Sequence, residues 1–385
     1  MFSKETIERF GKLKTPFYYY DLDLLQKTVS SAKKESDKYG FHLHYALKAN
    51  CNERVLQVIQ SLGLGADCVS GNEIKRAVES GFAGSSIVFA GVGKSDDEIN
   101  YALSQNIFSV NCESIQELQV INELAAKQKK RANIALRLNP NVDAYTHKYI
   151  TTGLEENKFG INTHEIDSVI ELLKTLPNLN LTGLHFHIGS QITDLEPFKK
   201  LCIRVNEFVH LFEQKGIKFN HINVGGGLGV NYREPDKQSI PDFASYFAVF
   251  NELLESRIKQ KIHFELGRAL VANCGSLISR ILYIKNGVNT NFIILDAGMT
   301  ELIRPALYQA YHKIENLTSV NNMPAATRYD VVGPICESSD CFGKAINLPE
   351  SKRGDIVAIR STGAYGEVMS SAYNLRDKAI AIFDK

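Results

Sequence analysis

The chain has 385 residues, of which 44% are hydrophobic and 23% are charged, and its formal net charge at pH 7 is +1. This is the composition of an ordinary globular protein that is long enough for two domains. The two signs of charge are interspersed, so the sequence gives no basis for a nucleic-acid or membrane-surface partner.

The cysteines and the N-terminal residues indicate the compartment. Seven cysteines, an odd number spread through apolar contexts, do not have the pattern of a disulfide framework. Reduced thiols are typical of the cytoplasm, which is where we expect this protein. The N-terminal residues MFSKETIERFGKLK lack the apolar core of a signal peptide, and no apolar run approaches the roughly 20 residues of a membrane-spanning helix.

Strands and helices alternate through the first two thirds of the chain. An aromatic run at Pro16–Tyr20 predicts a short early strand. Apolar periodicity then predicts strands at residues 42–48, 64–69, 86–90, 107–112, 132–138, 180–187, 218–224 and 261–266. The helices predicted between them are Glu53–Ser61, Glu73–Ser80, Glu98–Ser104, Ile115–Ala126, Ile166–Thr175, Phe198–Gln214 and Phe243–Lys259.

Eight strands that alternate with helices over about 250 residues predict a (β/α)8 barrel, although periodicity alone leaves an open doubly wound sheet as the alternative. Beyond Arg268, β-like runs with one helical piece near Tyr308–Ile314 predict a mainly β second domain. The early strand has no place in a barrel that begins at residue 42, so we expect it to join the β domain. The predicted domains are residues 24–270 for the barrel, and 1–23 with 271–385 for the β domain.

The first strand of the predicted barrel ends at a lysine, Lys48, in the run YALKAN. A buried ammonium is costly unless it is paired or used chemically, and catalytic groups of βα barrels lie at the C-terminal ends of the strands. A desolvated lysine there can form a Schiff base. A lysine whose side chain only reaches out to solvent is the alternative.

Two more motifs follow the sixth and seventh predicted strands. His185 and His187 share one strand face, which suits a metal pair or, in the absence of an evident third ligand, an imidazole packed on a flat ring. The run Gly225–Gly229 allows backbone N–H groups to converge on an anion, and barrels often bind phosphate after strand seven or eight. A tight turn is the alternative, and the spacing is not that of a dinucleotide-binding loop.

The eighth predicted strand ends at Glu265, with Arg268 three residues later. A carboxylate in a barrel mouth needs a positive partner, which Arg268 or a protonated ring nitrogen of a cofactor supplies. In the β-like region, arginine, glutamate and tyrosine side chains at residues 304–308, 336–338 and 363–366 suit a zwitterionic amino acid. A lysine amine, a phosphate loop, a carboxylate and a stacking ring together are the inventory for pyridoxal phosphate.

At this point the chain resembles, from about Thr15 to its C-terminus, the fold type III pyridoxal-phosphate decarboxylases. The stretches that carry the resemblance are YALKAN (45–50), GADCVSGNEI (65–74), THKYITTGLEENKFGI (146–161), LHFHIGSQI (184–192), NVGGGLG (223–229), FELGR (264–268), LDAGMTELIRPALYQAYH (295–312), GPICESSD (333–340) and GAYG (363–366). The resemblance implies a (β/α)8 barrel followed by a β domain. It also implies decarboxylation of meso-2,6-diaminopimelate to L-lysine and CO2, the final step of lysine biosynthesis, with pyridoxal 5'-phosphate as the cofactor.

The resemblance further implies roles for individual residues. Lys48 holds the cofactor as a Schiff base, His187 stacks on the pyridine ring, and Glu265 pairs with the ring nitrogen. The remaining cofactor contacts that it implies are Ser190, Gly226, Gly227 and Tyr365 at the phosphate, and Asp67 and Arg137 near the cofactor and its lysine.

The resemblance places a second group of residues around the substrate. Arg268, Arg304 and Tyr308 bind the carboxylate at its far end, with Tyr365 also near it. Cys336 and Glu337 come from the partner subunit of a homodimer whose active sites are shared, and either Lys48 or Cys336 donates the proton to Cα. In one departure from the family, Leu266 stands where a proline is usual.

Other members of the same fold act on ornithine, arginine or carboxynorspermidine. Ornithine and arginine end in cationic groups, which favour acidic residues rather than Arg304, whereas carboxynorspermidine is the closer alternative. Alanine racemase has an arginine at the ring nitrogen, which Glu265 argues against. An inactive relative that binds a partner protein is the remaining alternative.

Overall fold

The computed structural model of the chain describes residues 2–143, 158–255, 258–319 and 327–384. They form two compact units, each described here by itself. The barrel unit contains Thr28–Gly229 and Asp242–Gly267, and the β unit contains Met1–Lys27, Val230–Pro241 and Arg268–Lys385. The domain boundaries drawn from the sequence stay predictions, and residues 230–241 belong to the β unit by their contacts.

The described residues contain sixteen strands and eleven α-helices. The strands are β1 (Phe17–Tyr20), β2 (His42–Ala46), β3 (Gly65–Cys68), β4 (Ile87–Phe89), β5 (Ser109–Cys112), β6 (Ala132–Arg137), β7 (Leu179–His185), β8 (His221–Asn223), β9 (Lys261–Leu266), β10 (Gly275–Asn286), β11 (Asn291–Leu295), β12 (Ile314–Asn316), β13 (Thr327–Val332), β14 (Cys341–Leu348), β15 (Ile356–Ile359) and β16 (Ile380–Phe383). The helices are α1 (Lys4–Gly11), α2 (Leu22–Asp37), α3 (Glu53–Ser61), α4 (Gly71–Glu79), α5 (Asp96–Ser104), α6 (Ile115–Lys127), α7 (Ile166–Leu173), α8 (Glu196–Gln214), α9 (Phe243–Leu253), α10 (Arg268–Val271) and α11 (Arg304–Tyr308).

Strands β2 to β9 form a closed parallel barrel in chain order, with β9 paired to β2. The closed barrel confirms the (β/α)8 prediction and excludes the open sheet. All eight predicted strands lie within three residues of the observed bounds. The helix predicted to end at Lys259 ends at Leu253, and residues 256 and 257 lie outside the described ranges.

Polar caps set the lengths of the βα loops at the C-terminal end of the barrel. The side chains of Asn52, Ser70, Ser95 and Ser114 accept backbone N–H groups in the first turns of α3, α4, α5 and α6. Such caps satisfy N–H groups that have no partner within the helix, so each helix starts a few residues after the preceding strand. Lys48 lies in one of these loops, between β2 and α3.

The β unit is built on one sheet with the order β12-β15-β10-β11-β13-β14. The early strand β1 pairs antiparallel with β10 and parallel with β16, which confirms that it joins the β domain. The helical piece predicted at Tyr308–Ile314 is wrong, because α11 ends at Tyr308 and Ile314 begins β12. Helix α1 and strand β14 were not predicted, since polar residues interrupt the apolar pattern of both.

Each described helix is too short or too polar to cross a membrane.

Four histidines cluster at the N-terminal end of the barrel strands. The Nε2 atom of His44 lies 2.8 Å from Nδ1 of His263, and the His42 ring stacks on His263 with centroids 4.7 Å apart. The Phe108 ring covers the other side of this group, with its centroid 5.0 Å from that of His263. The centroid of the His221 ring lies 5.2 Å from that of His263. Burial is the main cause that lowers the pKa of both His44 and His221 to about 4, and it also lowers the pKa of His263.

This histidine cluster predicts a loss of stability in acid. Since the unfolded imidazole titrates near 6.5 and the folded one near 4, the unfolded chain binds more protons between these values. The stabilisation is complete above pH 6.5 and is lost as pH falls toward 4, by about 3 kcal/mol for each of His44 and His221. We expect urea unfolding midpoints measured across this range to fall less for His44→Leu than for the wild type. The control His210→Gln, at an exposed histidine, keeps the full acid dependence, and equal slopes in all three proteins contradict the prediction.

Candidate active site

Lys48 lies in a short helical turn directly after β2, and it is paired. Its Nζ is 2.9 Å from Oδ2 of Asp67, which is fully buried on the neighbouring strand β3. Burial and the nearby Glu265 raise the pKa of Asp67, and Lys48 opposes the rise. The second oxygen of Asp67, Oδ1, has no hydrogen-bond partner among the described residues.

Glu265 lies near the end of β9 inside a polar network from three other strands. Its Oε1 accepts from Asn111 at 3.2 Å and from Asn223 at 2.7 Å, and its Oε2 lies 3.0 Å from Nε2 of His185. Burial favours the neutral acid, but the charge and hydrogen bond of His185 and the charge of Lys48 outweigh it, so the pKa of Glu265 is lowered. The carboxylate is therefore ionised over the working range of pH.

The sequence did not assign these three partners of Glu265. Arg268, which the sequence offered as a partner, donates to the Tyr232 hydroxyl at 2.7 Å. The available signal was the presence of Asn111 and Asn223 in strands that are otherwise buried, because an amide there needs a polar partner.

The imidazole of His187 is neutral and its orientation is fixed. The Gly226 N–H donates to Nδ1 of His187 at 3.3 Å, so Nδ1 accepts and the ring hydrogen is on Nε2. Burial, followed by the charges of Arg137 and Lys48, lowers the pKa of His187 well below its usual value. His185 is bound to Glu265, and in the described ranges no three His, Cys, Asp or Glu side chains are placed so that they could hold a metal ion.

The glycine run after β8 makes a close approach that other residues cannot make. Gly227 has a φ of +110°, and a Cβ there would lie 2.7 Å from the Gly189 carbonyl oxygen. A Cβ on Gly226 would lie 1.9 Å from the Glu265 carbonyl oxygen. The run is held to the loop after β7, since the Ile192 N–H donates to the Gly227 oxygen at 2.9 Å, and this loop carries Ser190.

Arg137 ends β6 in a buried ion pair that the sequence did not reveal. Its guanidinium donates to Oε1 of Glu113 at 2.8 Å and lies 4.7 Å from the centre of the Phe159 ring. The second oxygen of Glu113 accepts the Gly160 N–H at 2.9 Å. In the stretch 146–161 quoted above, residues 146–157 lie outside the described ranges.

The two arginines that the resemblance assigns to the substrate meet in the β unit. Arg268 and Arg304 both donate to the hydroxyl of Tyr232, at 2.7 and 2.8 Å. The Arg268 guanidinium also lies 4.8 Å from the centre of the Tyr365 ring, and Tyr308 is the last residue of the helix that Arg304 begins. Tyr232 was not singled out in the sequence.

Cys336 and Glu337 are exposed in a loop of the β unit. The Sγ of Cys336 lies 3.6 Å from Oδ1 of Asn374, and Glu337 accepts from the Ser339 hydroxyl at 3.1 Å. Leu375, next to Asn374, is 95% exposed. This loop and the turn Tyr373–Leu375 therefore present a thiol, a carboxylate and an apolar side chain to their surroundings.

The residues of the barrel unit fit pyridoxal phosphate. The barrel mouth offers an amine on Lys48, an ionised carboxylate on Glu265, a neutral flat imidazole on His187 and a glycine loop whose space a Cβ would fill. The unpartnered Oδ1 of Asp67 adds a buried acceptor beside the amine. These features define a barrel that is built for this cofactor.

Comparison with known proteins identifies the class. Residues 22–272 match the family model described as "Pyridoxal-dependent decarboxylase, pyridoxal binding domain". A diaminopimelate decarboxylase of Bacteroides thetaiotaomicron is 58% identical over 96% of this chain and 96% of its own length. The chain belongs to the pyridoxal-dependent decarboxylases and, within them, to the diaminopimelate decarboxylase family.

Solved structures agree with this assignment. Diaminopimelate decarboxylase of Helicobacter pylori, complexed with L-lysine, has a TM-score of 0.91 and 40% identity, and the match covers 98% of this chain and 93% of that one. The enzyme of M. jannaschii, also in complex with L-lysine, has a TM-score of 0.91 and 35% identity, with coverage of 98% and 89%.

Proposed function

We propose that this protein is a carboxy-lyase that converts meso-2,6-diaminopimelate to L-lysine and CO2, the final step of lysine biosynthesis. The observation that carries the substrate assignment is the pair of buried guanidiniums of Arg268 and Arg304. Such a pair attracts a carboxylate at the far end of a substrate, and it disfavours the cationic ends of ornithine and arginine.

In the net reaction, the bond between Cα and one carboxyl carbon breaks, CO2 leaves with that carbon, and a proton takes its place at Cα. Bound pyridoxal phosphate supplies the electron sink for the pair of electrons that stays behind. Glu265 keeps a proton on the ring nitrogen, because an ionised carboxylate there favours the charged form of the ring. Lys48 would hold the cofactor through its amine, and the neutral imidazole of His187 would pack against its ring.

The other assignments complete the site. Ser190, Gly226 and Gly227, with Tyr365, bind the phosphate, and Asp67 and Arg137 orient the groups around Lys48. Arg268, Arg304 and Tyr308 bind the distal carboxylate. Lys48 or Cys336 donates the proton to Cα.

We also propose that the active form is a homodimer in which Cys336 and Glu337 of one subunit complete the site of the other. The exposure of these two residues next to the apolar Leu375 supports this proposal. Sedimentation equilibrium tests it, and a monomer at working concentrations contradicts it. Four buried cysteines, Cys68, Cys112, Cys202 and Cys274, are free thiols, which supports a cytoplasmic location that cell fractionation tests.

A substrate panel tests the reaction. We expect CO2 release to be fastest from meso-diaminopimelate when it is compared with ornithine, arginine and carboxynorspermidine. Faster release from carboxynorspermidine contradicts the substrate assignment. No release from any of the four contradicts decarboxylation itself.

A further inference from the structure

Two buried cations share one acceptor in the β unit. Only 6% of Arg268 and 5% of Arg304 is exposed, and both donate to the same oxygen of Tyr232. Two positive charges this close repel each other, and burial strengthens the repulsion because less water screens it. A third group is therefore needed to hold them together.

The second acceptor of Arg304 is also uncharged. Nδ1 of His312 lies 2.8 Å from the Arg360 carbonyl oxygen, which can only accept, so Nδ1 carries the ring hydrogen. Nε2 then accepts from Arg304 at 3.1 Å. Burial, together with the charge of Arg304, lowers the pKa of His312 to about 3, so this ring brings no charge to the group.

We propose that Tyr232 is a positioning residue for substrate recognition, whose hydroxyl holds the Arg268 and Arg304 guanidiniums together around the distal carboxylate. This inference rests on the proposed function, in which these two arginines bind that carboxylate. In its phenol form the hydroxyl accepts two hydrogen bonds without adding negative charge. An aspartate or glutamate in its place would neutralise the pair and compete with the substrate.

The pKa of Tyr232 reflects its contact with the two cations. Burial by itself would raise the pKa of Tyr232, but the charges of Arg268 and Arg304 outweigh burial and lower the pKa. The Arg304 guanidinium also lies 5.0 Å from the centre of the Tyr232 ring. Phenylalanine keeps this ring contact and removes only the hydroxyl.

The test compares Tyr232→Phe with Tyr246→Phe in the cofactor-loaded enzyme. Tyr246 is a suitable control because it is fully buried in the barrel unit and its hydroxyl has no partner among the described residues. We expect the KM of Tyr232→Phe for meso-diaminopimelate to rise about tenfold or more with little change in kcat. The Tyr246→Phe variant keeps both constants.

Competing ligands separate positioning from a general loss of structure. L-lysine keeps the distal carboxylate of the substrate. Cadaverine has the same five carbons between and bearing the two amines, but no carboxylate. We expect Tyr232→Phe to weaken binding of L-lysine by the same factor as KM and to leave binding of cadaverine unchanged. An unchanged KM, or equal weakening of both ligands, overturns the proposal. If the wild type releases no CO2, the proposed function fails, and calorimetric titration of L-lysine into both variants still decides the role of Tyr232.

Discussion

Replacing Lys48 with alanine is expected to lower kcat for decarboxylation by about a thousandfold or more, because the chain loses the amine that we propose holds the cofactor. The change also removes the cation that pairs with Asp67 at 2.9 Å, and a buried carboxylate without a partner takes up a proton more readily. Steady-state CO2 release measures the loss. In the wild type, borohydride followed by peptide mapping is expected to fix the cofactor on the peptide that contains Lys48.

Lys75→Ala is the matched control, since this lysine is exposed on the helix α4 that follows β3. It is expected to keep full activity and the same labelled peptide. A Lys48→Ala enzyme with wild-type turnover, or a label on a different lysine, removes Lys48 from its assigned role.

The second large effect is expected from Glu265→Gln, which keeps the shape of the side chain and removes its charge. The amide oxygen still accepts from Asn111 and Asn223, so the fold has little reason to change. The variant lacks the negative charge that we propose stabilises a proton on the cofactor's ring nitrogen, and kcat is expected to fall about a hundredfold. Cofactor content, measured by absorbance after release in alkali, should stay near the wild-type value.

Glu98→Gln controls for replacing a hydrogen-bonded carboxylate in the same unit, because Glu98 accepts backbone N–H groups of Ser95 and Gly71. This variant is expected to keep its activity. If Glu265→Gln retains kcat, the assignment of Glu265 is wrong. If it instead loses the cofactor, its role is to bind the cofactor rather than to hold the proton.

The barrel could be predicted because its pattern is local. Each βα unit shows a short apolar run and an amphipathic helix within about 30 residues, so the helix Glu53–Ser61 and the strand Lys261–Leu266 were predicted with their observed bounds. Lys48 and Glu265 could be proposed as site residues for the same reason, since each is a charged side chain in or just after a strand that is otherwise buried.

The partners of these residues could not be predicted, because they come from distant parts of the chain. Asn111, Asn223 and His185 reach Glu265 from three strands whose neighbours are defined only by closure of the barrel. Tyr232 lies in a loop segment without periodicity, and only the fold shows that two arginines meet at its hydroxyl. The β unit was predicted less well, since exposed polar residues such as Lys344 and Asn347 interrupt the apolar pattern of β14.

The position of β1 has a consequence for synthesis on the ribosome. This strand lies between β10 and β16, and all four of its residues, Phe17–Tyr20, are buried in the finished sheet. All eight strands of the barrel leave the ribosome before β10 does, and β16 follows last, so the barrel can close while β1 still has neither neighbour. During that interval, an aromatic strand with two open edges is exposed to other nascent chains. The interval between completion of β9 at residue 266 and pairing of β1 with β10 and β16 is therefore the stage of synthesis at which we expect this protein to be most exposed to aggregation. Slow translation or early termination after residue 266 would lengthen that interval.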